Sequence, residues 1–341
     1  MNKRKFANLG LALVFGAVLF TSCSNDDDGD NSGNVESTQL YVSNNTDGNV
    51  TVYEMVSGEV KTLTTTSTAA EGIYYDADTD EIIQASRSSN RLNAFADVST
   101  FLLNATISAS ISSTADLESP RDIAVKDNFI VVADNADVDG DSMTADGRLF
   151  VYTRSNGEIT LRNVVTTDFA VWGIEFVGNE LYCVVDKTNE LAVYTRFTTT
   201  NTTDATVSAS KRIVVEGIVR THGLAYDKGT MILTDVGDAA SDSDGGFHVI
   251  ANFDSKFNAV SDGGVMAVAN NQVRVAGSNT ALGNPIAAEY DADSNMVFIA
   301  EAANGGGRVL AFSNADAGGD ITPSINNSLS KASSLYFYTN K

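Results

Sequence analysis

The sequence predicts an all-β fold, a six-bladed β-propeller of four-stranded blades whose ring is closed by the C-terminal strand. The first observation behind this prediction is a short phrase that recurs along the chain, typified by residues 221–227, Thr-His-Gly-Leu-Ala-Tyr-Asp. Its aliphatic positions are 50, 51, 50, 64 and 47 residues apart and fall at Ile73, Ile123, Ile174, Leu224, Ala288 and Leu335. A period near fifty, repeated this often, is typical of a repeat architecture.

The second observation is the texture of the chain from Gln39 onward. Short runs rich in Val, Ile, Tyr, Phe and Thr are separated by clusters of Asn, Asp, Gly and Ser, which indicates many short strands joined by turns. Four strands fit each repeat, and in the fourth repeat the pattern places them at 173–177, 180–185, 190–194 and 211–215. In the third repeat it places them at 123–125, 129–133, 148–152 and 159–163.

The third strand of each repeat shares an apolar phrase, and the number of these phrases gives the number of sheets. Six occur, at 50–53, 92–95, 149–152, 191–194, 247–250 and 309–312. The repeated part of the chain opens at 40–43, which matches a second strand, and closes at 335–338, which matches a first strand. The C-terminus therefore supplies the missing first strand, and the ring closes without an open sheet edge. A linear β-solenoid is the alternative, but it does not explain the complementary ends.

On these repeats and strand phrases, residues 39–341 resemble the six-bladed propellers of the NHL and TolB-like superfamily. The resemblance implies the fold and a functional site at the mouth of the central channel. Relatives of this kind include calcium-dependent lactonases and NHL-type lyases, which use the same mouth. The repeats are degenerate, so the resemblance specifies a function far less than it specifies a fold.

The N-terminal residues carry a targeting pattern. A basic end, Lys3-Arg4-Lys5, precedes an apolar run over residues 6–20 that is short for a membrane span and typical of a secretory signal. Residues 19–23, Leu-Phe-Thr-Ser-Cys, resemble the lipobox of bacterial lipoproteins. The resemblance implies a signal peptide over residues 1–22 and an acylated N-terminus at Cys23. The alternative is an ordinary cleaved signal followed by a chance cysteine.

Residues 23–38 form a predicted flexible tether, because this Asp-, Asn-, Gly- and Ser-rich stretch cannot bury a core. It resembles the acidic export tether of surface-exposed lipoproteins, and a plain periplasmic tether is the alternative. We therefore expect an outer-membrane lipoprotein, on the cell surface or the periplasmic face, whose membrane partner is reached through the N-terminal lipid.

Charge and cysteine content exclude several functions. The chain has 44 acids against 22 Lys and Arg, a net charge of −22, and removal of residues 1–22 takes away three more cations. Nucleic acid is excluded as a partner because phosphate binding needs a basic surface. Once Cys23 is acylated, only Cys183 remains, within the strand-like run 181–185, so we expect no disulfide and a buried, inert thiol.

Ligand-binding residues are predicted where the inner strands begin, because that edge and the loops between second and third strands share one face of the ring. The residues just before each inner strand are Glu71, Arg121, Trp172, His222, Ile286 and Ser333. The varied chemistry of the first four, Glu71, Arg121, Trp172 and His222, suits a site for a small molecule or a protein partner. The alternative is structural, with Glu71 and Arg121 paired across blades and Trp172 plugging the channel. No catalytic residue is assigned, since His222 has no identifiable partner in the sequence.

One loop between a second and a third strand has calcium-like spacing. Asp137, Asp139 and Asp141 alternate as in calcium loops, and Ca²⁺ prefers several oxygen ligands. The EF-hand pattern fails, because Ser142 replaces its turn glycine and Arg148 its final acid. The loop is therefore a candidate Ca²⁺ site or a solvated acidic loop, and no other cofactor is predicted.

Taken together, these features favour a membrane-anchored binding or scaffold module over an enzyme. The alternative is a propeller enzyme of the lactonase or lyase type that acts at the same mouth. The lactonases hold their metal at mouth positions with acid or amide side chains, whereas in this sequence Arg121, Trp172 and Ile286 occupy such positions. This departure counts against lactonase chemistry.

Overall fold

The computed structural model describes residues 37–340, which form six antiparallel sheets arranged as the blades of a propeller. The predicted signal peptide, the tether up to residue 36 and Cys23 lie outside the described residues. The all-β, six-bladed fold predicted from the sequence is confirmed, and each of the six third-strand phrases lies in the third strand of its own blade.

Each blade has four main strands, which are named in order from the channel outward. Blade 1 consists of Ala332–Asn340, Ser37–Asn44, Val50–Glu54 and Val60–Thr64; blade 2 of Ala70–Asp76, Glu81–Ser86, Arg91–Ala96 and Ile111–Ser112; blade 3 of Pro120–Lys126, Phe129–Asp134, Gly147–Ser155 and Glu158–Thr167. Blade 4 consists of Val171–Val177, Glu180–Val185, Glu190–Tyr194 and Lys211–Val215; blade 5 of Leu224–Asp227, Thr230–Asp235, Gly246–Ala251 and Val273–Ala276; blade 6 of Pro285–Asp291, Met296–Glu301, Arg308–Ser313 and Ile325–Ser328.

Three blades gain a two-residue fifth strand that pairs in parallel with the outer strand: Ala105–Thr106 in blade 1, Ala205–Thr206 in blade 3 and Val265–Met266 in blade 4. The helices of the described residues are short and lie in connections: Val98–Thr100, Phe197–Thr200, Phe253–Ala259, Asn304–Gly306 and Ala315–Ala317. None of the helices in residues 37–340 is long and apolar enough to cross a membrane.

The hydrophobic core lies between the blades, because alternate residues of each strand face the neighbouring sheet. Between blades 3 and 4, for example, Val131 and Leu149 pack with Leu181 and Tyr194. Cys183 belongs to this cluster and is fully buried, as predicted for an inert thiol, and burial raises its pKa.

Ring closure follows the prediction. Ala332–Asn340 pairs antiparallel with Ser37–Asn44 along the whole length of the latter strand, from Ser37 opposite Asn340 to Asn44 opposite Ala332. Leu335 and Val42 face each other in this ladder, and both are buried in the cluster between blades 6 and 1. The last strand therefore supplies the inner edge of the first blade.

A register shift recurs near the start of the inner strands, at the end of the ring that we call the mouth. In blades 1, 2, 3, 4 and 6 one extra residue interrupts pairing with the second strand, next to or at Ser333, Glu71, Arg121, Trp172 and Ile286 respectively. A β-bulge of this kind re-aims side chains and strengthens the local twist. The mouth side chains are thus displaced from the regular alternation of the strand.

Glycine in the recurring phrase has a packing cause. A Cβ on Gly173 would lie 2.5 Å from the carbonyl oxygen of His222, and one on Gly223 would lie 2.7 Å from Cα of Ala287. Neighbouring inner strands approach so closely at these positions that only glycine fits without a backbone shift. The glycine in the phrase is therefore required by the close spacing of the inner strands around the channel.

Deletion of residues 333–341 is expected to abolish cooperative folding, because it removes the inner strand of blade 1 and leaves an open sheet edge beside exposed apolar surface. Thermal melting followed by circular dichroism, with size-exclusion chromatography, tests this. Deletion of residues 339–341 alone is the control and should have little effect. An unchanged melting temperature in the longer deletion would contradict the role of this strand in closure.

Candidate functional site

Four of the predicted mouth residues form one continuous stack across successive blades. The Glu71 carboxylate pairs with the Arg121 guanidinium, with Oε1 and Nη1 3.3 Å apart. The Arg121 guanidinium lies over the Trp172 indole, with its Cζ 4.1 Å from the ring centroid. On the other side of the indole, the His222 ring is parallel within 2° at a centroid distance of 3.9 Å. The ring geometry thus brings together residues about fifty positions apart in sequence.

A second ring of polar side chains surrounds this stack, and the sequence interpretation missed it. Its members follow the second strands of blades 1 to 4 and are Asn45, Arg87, Asn135 and Asp186. They bond directly to the first ring. Arg87 Nη1 and Asn45 Nδ2 donate to Glu71, while Arg121 Nε donates to Asn135 Oδ1 at 2.7 Å.

Asp186 joins the His222 end of the stack to Arg220. Its Oδ1 lies 3.1 Å from His222 Nε2 and accepts a hydrogen bond from Arg220 Nη2 at 3.0 Å. Arg220 Nε also approaches His222 Nε2, at 2.9 Å. We use the name polar arc for the whole set: Asn45, Glu71, Arg87, Arg121, Asn135, Trp172, Asp186, Arg220 and His222.

The remaining two mouth positions are chemically different. Ser333 Oγ donates to the carbonyl of Ala70 at 2.7 Å and so bridges blades 1 and 2. Ile286 in blade 6 is apolar and partly exposed, as is Ala302, which follows the second strand of the same blade. The mouth therefore has a polar arc over blades 1 to 5 and an apolar side at blade 6.

Buried carboxylates hold the loops that lead into the mouth. Asp134 accepts hydrogen bonds from the backbone N–H groups of Glu118 and Ser119, at 2.7 and 2.8 Å. Asp235 does the same for Val219 and Arg220 in blade 5, and Glu301 does so for residues 283 and 284 in blade 6. All three carboxylates are fully buried. Because these acids satisfy backbone donors, they position the mouth and are not free ligands.

Electrostatics keep His222 neutral and Asp186 charged. Burial lowers the pKa of His222 despite its contact with Asp186. Burial opposes ionisation of Asp186, but its contacts with His222 and Arg220 outweigh this effect and lower its pKa. Arg121 is partly desolvated, which lowers its pKa, while Glu71 favours the charged form. Asp186 is thus held as an anion within the arc, and Glu71 is ion-paired with Arg87 and Arg121.

The imidazole has one nitrogen without a protein partner. His222 is 4% exposed, and its Nδ1 has no hydrogen-bond partner among residues 37–340 and almost no accessible surface. A general base must reach the proton that it abstracts. In this arrangement His222 is held by Asp186 and Trp172 and does not present a free nitrogen to the channel.

The stack also decides how Trp172 can contact a ligand. Both faces of the indole are covered, one by Arg121 and the other by His222. A sugar or aromatic ring therefore has no free indole face on which to stack. Trp172 remains partly exposed at its edge and packs against the core between blades 4 and 5. The predicted Glu71–Arg121 ion pair is present, so the geometry contains elements of both the site and the plug interpretations.

Below the mouth, the inner strands line a cavity of about 270 Å³ on the propeller axis. The carboxyl groups of Asp122, Glu175 and Glu289 and the phenols of Tyr74 and Tyr336 are among its lining. The two rings are in edge contact, with centroids 4.8 Å apart. Asp122 accepts a hydrogen bond from the backbone N–H of Ile174 at 3.0 Å and so links blades 3 and 4.

Burial raises the pKa values of the three channel acids. The pKa of Asp122 rises to about 7 and that of Glu175 to about 8, the latter also because Asp122 is near. Burial and repulsion from Glu175 and Asp122 raise the pKa of Glu289 well above its ordinary value. Neither Glu175 nor Glu289 has a hydrogen-bond or ion-pair partner among residues 37–340. Between about pH 4 and 7, the folded state should therefore retain protons on these acids that the unfolded chain releases.

The acidic loop of blade 3 brings together a different trio from the one predicted. Asp137, Asp139 and Asp146 offer oxygens within 4.8 Å of one another, with Asp137 and Asp139 exposed. Asp141 instead accepts a hydrogen bond from the N–H of Met143 at 3.0 Å. The carboxylates also bind loop N–H groups, as when Gly140 donates to Asp137 at 2.7 Å. Calcium binding at this loop stays a prediction.

Comparison with known proteins supports the fold alone. No protein-family model and no curated protein matches the chain. A propeller in the crystal structure of a nidogen–laminin complex aligns with a TM-score of 0.56 at 11% identity, over 88% of this chain and 98% of that one. A putative 6-phosphogluconolactonase from Bacteroides fragilis aligns with a TM-score of 0.56 at 11% identity, over 91% of this chain and 100% of the other.

The channel acids predict a pH dependence of stability. Because their pKa values are raised on folding, the folded state retains protons that the unfolded state loses above about pH 4. The free energy of unfolding should therefore fall as pH rises from about 5 to 8. Glu175→Gln/Glu289→Gln should flatten this dependence and raise stability at pH 8, as measured by urea unfolding. Glu59→Gln/Glu158→Gln, an exposed pair with the same change of charge, is the control. Equal pH slopes in the channel variant and the wild type would contradict the prediction.

Proposed function

We propose that this protein is a membrane-anchored binding module, exposed at the cell surface or in the periplasm, whose ligand or partner site is the channel mouth. The observation that carries the proposal is the polar arc, in which Glu71, Arg121, Trp172 and His222 meet at one end of the channel. Ring closure does not require polar side chains at these positions, since Ile286 occupies the equivalent position in blade 6.

The composition of the arc supports a binding role. Glu71 is 2% exposed and Asp186 3% at the side chain, and both are paired with arginines, which offsets the cost of desolvating such charges. Polar groups placed at a concave opening, beside apolar surface, are typical of binding sites. A similar propeller occurs in the nidogen–laminin complex, so a protein partner at this fold's surface is a reasonable form of the proposal.

An enzyme acting at the same mouth is the alternative. It is favoured by the Asp186–His222 pair, whose oxygen and nitrogen lie 3.1 Å apart, and by the structural likeness to a putative 6-phosphogluconolactonase. The buried Nδ1 of His222 and the absence of matching lactonase ligands at Arg121, Trp172 and Ile286 weigh against it. Turnover of a sugar lactone that is lost in His222→Gln would favour the enzyme.

Tryptophan fluorescence tests the binding proposal, because Trp172 is the only Trp in the chain and lies in the arc. Titration with a panel of sugars, lactones and organic acids should change the emission saturably with at least one class. A structural plug predicts a silent panel. It also predicts that Trp172→Ala costs about 3–5 kcal/mol in unfolding free energy, as a core truncation does. Both results together would overturn the mouth as a binding site.

The anchor has its own test, which does not depend on the ligand. In cells, Cys23→Ala should release the protein from the membrane fraction, because acyl chains hold it there by burying many CH₂ groups. Ser24→Ala is the control and should remain in the membrane. Protease treatment of intact cells then separates surface display from a periplasmic location. A Cys23→Ala variant that stays membrane-bound in high salt would contradict the lipid anchor.

A further inference from the structure

Three arginines converge on the polar arc, and each keeps donors that the protein does not use. Arg87 Nη1 and Arg121 Nη1 are occupied by Glu71, and Arg220 Nη2 by Asp186. Within residues 37–340 no acceptor is present for Nη2 of Arg87, Nη2 of Arg121 or Nη1 of Arg220. These side chains are 30%, 14% and 23% exposed, so the free donors reach solvent at the mouth.

The charge balance of the arc is opposite to that of the protein. Three guanidinium groups face two carboxylates, Glu71 and Asp186, while His222 is held neutral by burial. The arc therefore carries one excess positive charge in a chain whose net charge is −22. The buried acids beside the arc are bound to backbone N–H groups: Asp134, Asp235 and Glu301. The unused charged donors at the mouth are therefore guanidinium groups, which attract an anion locally while the rest of the surface repels anions.

The size of that excess favours a single negative charge. One carboxylate would neutralise the arc, whereas a dianionic phosphate would leave it negative again. Guanidinium donors match the planar carboxylate, and the pairing is charge-assisted. Opposite the arginines, Ile286 and Ala302 offer partly exposed apolar surface for the body of such a molecule. The covered faces of Trp172 argue against recognition by stacking.

We propose that the mouth binds a small organic acid with one carboxylate, held by the free Nη donors of Arg87 and Arg121, which meet at Glu71. Arg220 adds positive charge on the other side of the Trp172 indole, and the apolar part of the acid lies toward blade 6. This inference rests on the proposed function, because it names the ligand class of the same site. In this proposal the arginines of the arc recognise the ligand in addition to pairing with Glu71 and Asp186.

The test is calorimetric titration and Trp172 emission with lactate, gluconate and benzoate, at constant ionic strength. Methyl lactate, glucose and benzyl alcohol are the neutral counterparts, and inorganic phosphate is the dianion. At least one acid should bind saturably, and its neutral counterpart should bind about tenfold more weakly or not at all. Arg87→Gln should weaken the acid roughly 10- to 100-fold, as loss of a charge-assisted hydrogen bond does.

Arg87 is chosen first because it is the most exposed of the three and its loss leaves Arg121 on Glu71; Arg121→Gln is the second variant. Arg196→Gln is the control, since Arg196 is exposed and follows the third strand of blade 4 at the end away from the mouth. Neutral counterparts that bind as tightly as the acids would overturn the inference and leave the proposed function standing. Tighter binding of phosphate, or an equal loss in Arg196→Gln, would overturn it too. A panel silent in both measurements would contradict the inference and the proposed function together.

Discussion

The close approach of the inner strands around the axis is the constraint on which the rest of the structure depends. Main chains of adjacent blades come so near at Gly173 and Gly223 that a single Cβ would collide with the neighbour. The inner strands accommodate this approach with glycine at the point of contact and a register shift beside it. That shift aims side chains such as Arg121 and Trp172 along the rim, where they meet residues of the next blade. The arrangement of side chains at the mouth thus follows from the close approach of the inner strands around the axis.

Much of the fold was predictable because it is periodic. Repeats of about fifty residues indicated the six blades, and matching ends indicated the closure, which the pairing of Ser37–Asn44 with Ala332–Asn340 confirms. Equal offsets in those repeats also brought Glu71, Arg121, Trp172 and His222 together. The equivalent position directly after each second strand leads to Arg87 and Asp186, which the inner-strand pattern alone does not reveal. Asp146 could not be found in this way, since the shape of the blade 3 loop depends on local turns and has no counterpart in other repeats.

The surroundings of the buried acids differ between the channel and the mouth. The channel acids Glu175 and Glu289 lie apart from cations, so burial shifts their proton equilibrium. At the mouth, Glu71 and Asp186 are buried as well, but each pairs with an arginine from the next blade, Arg121 and Arg220 respectively. The pKa values of Glu175, in the inner strand of blade 4, and of Asp186, which directly follows the adjacent strand, therefore shift in opposite directions. Burial raises that of Glu175, whereas contacts with His222 and Arg220 outweigh burial and lower that of Asp186. The difference follows from whether a guanidinium group or another carboxylate lies near the acid.

The pairing of the last strand with the first has a consequence for the order of folding during synthesis. Blade 1 joins residues about 300 positions apart, from Ser37 to Asn340, so its inner edge stays empty until residues 332–340 have been made. Blades 2 to 6 are each continuous in sequence and can form as they emerge, whereas closure of blade 1 must wait until the strand Ala332–Asn340 has emerged. Pairing over so long a separation is slow, because the chain loses loop entropy before the contact forms. A nascent chain paused before its last repeat would thus present an unpaired strand edge, the state in which chaperone capture matters most.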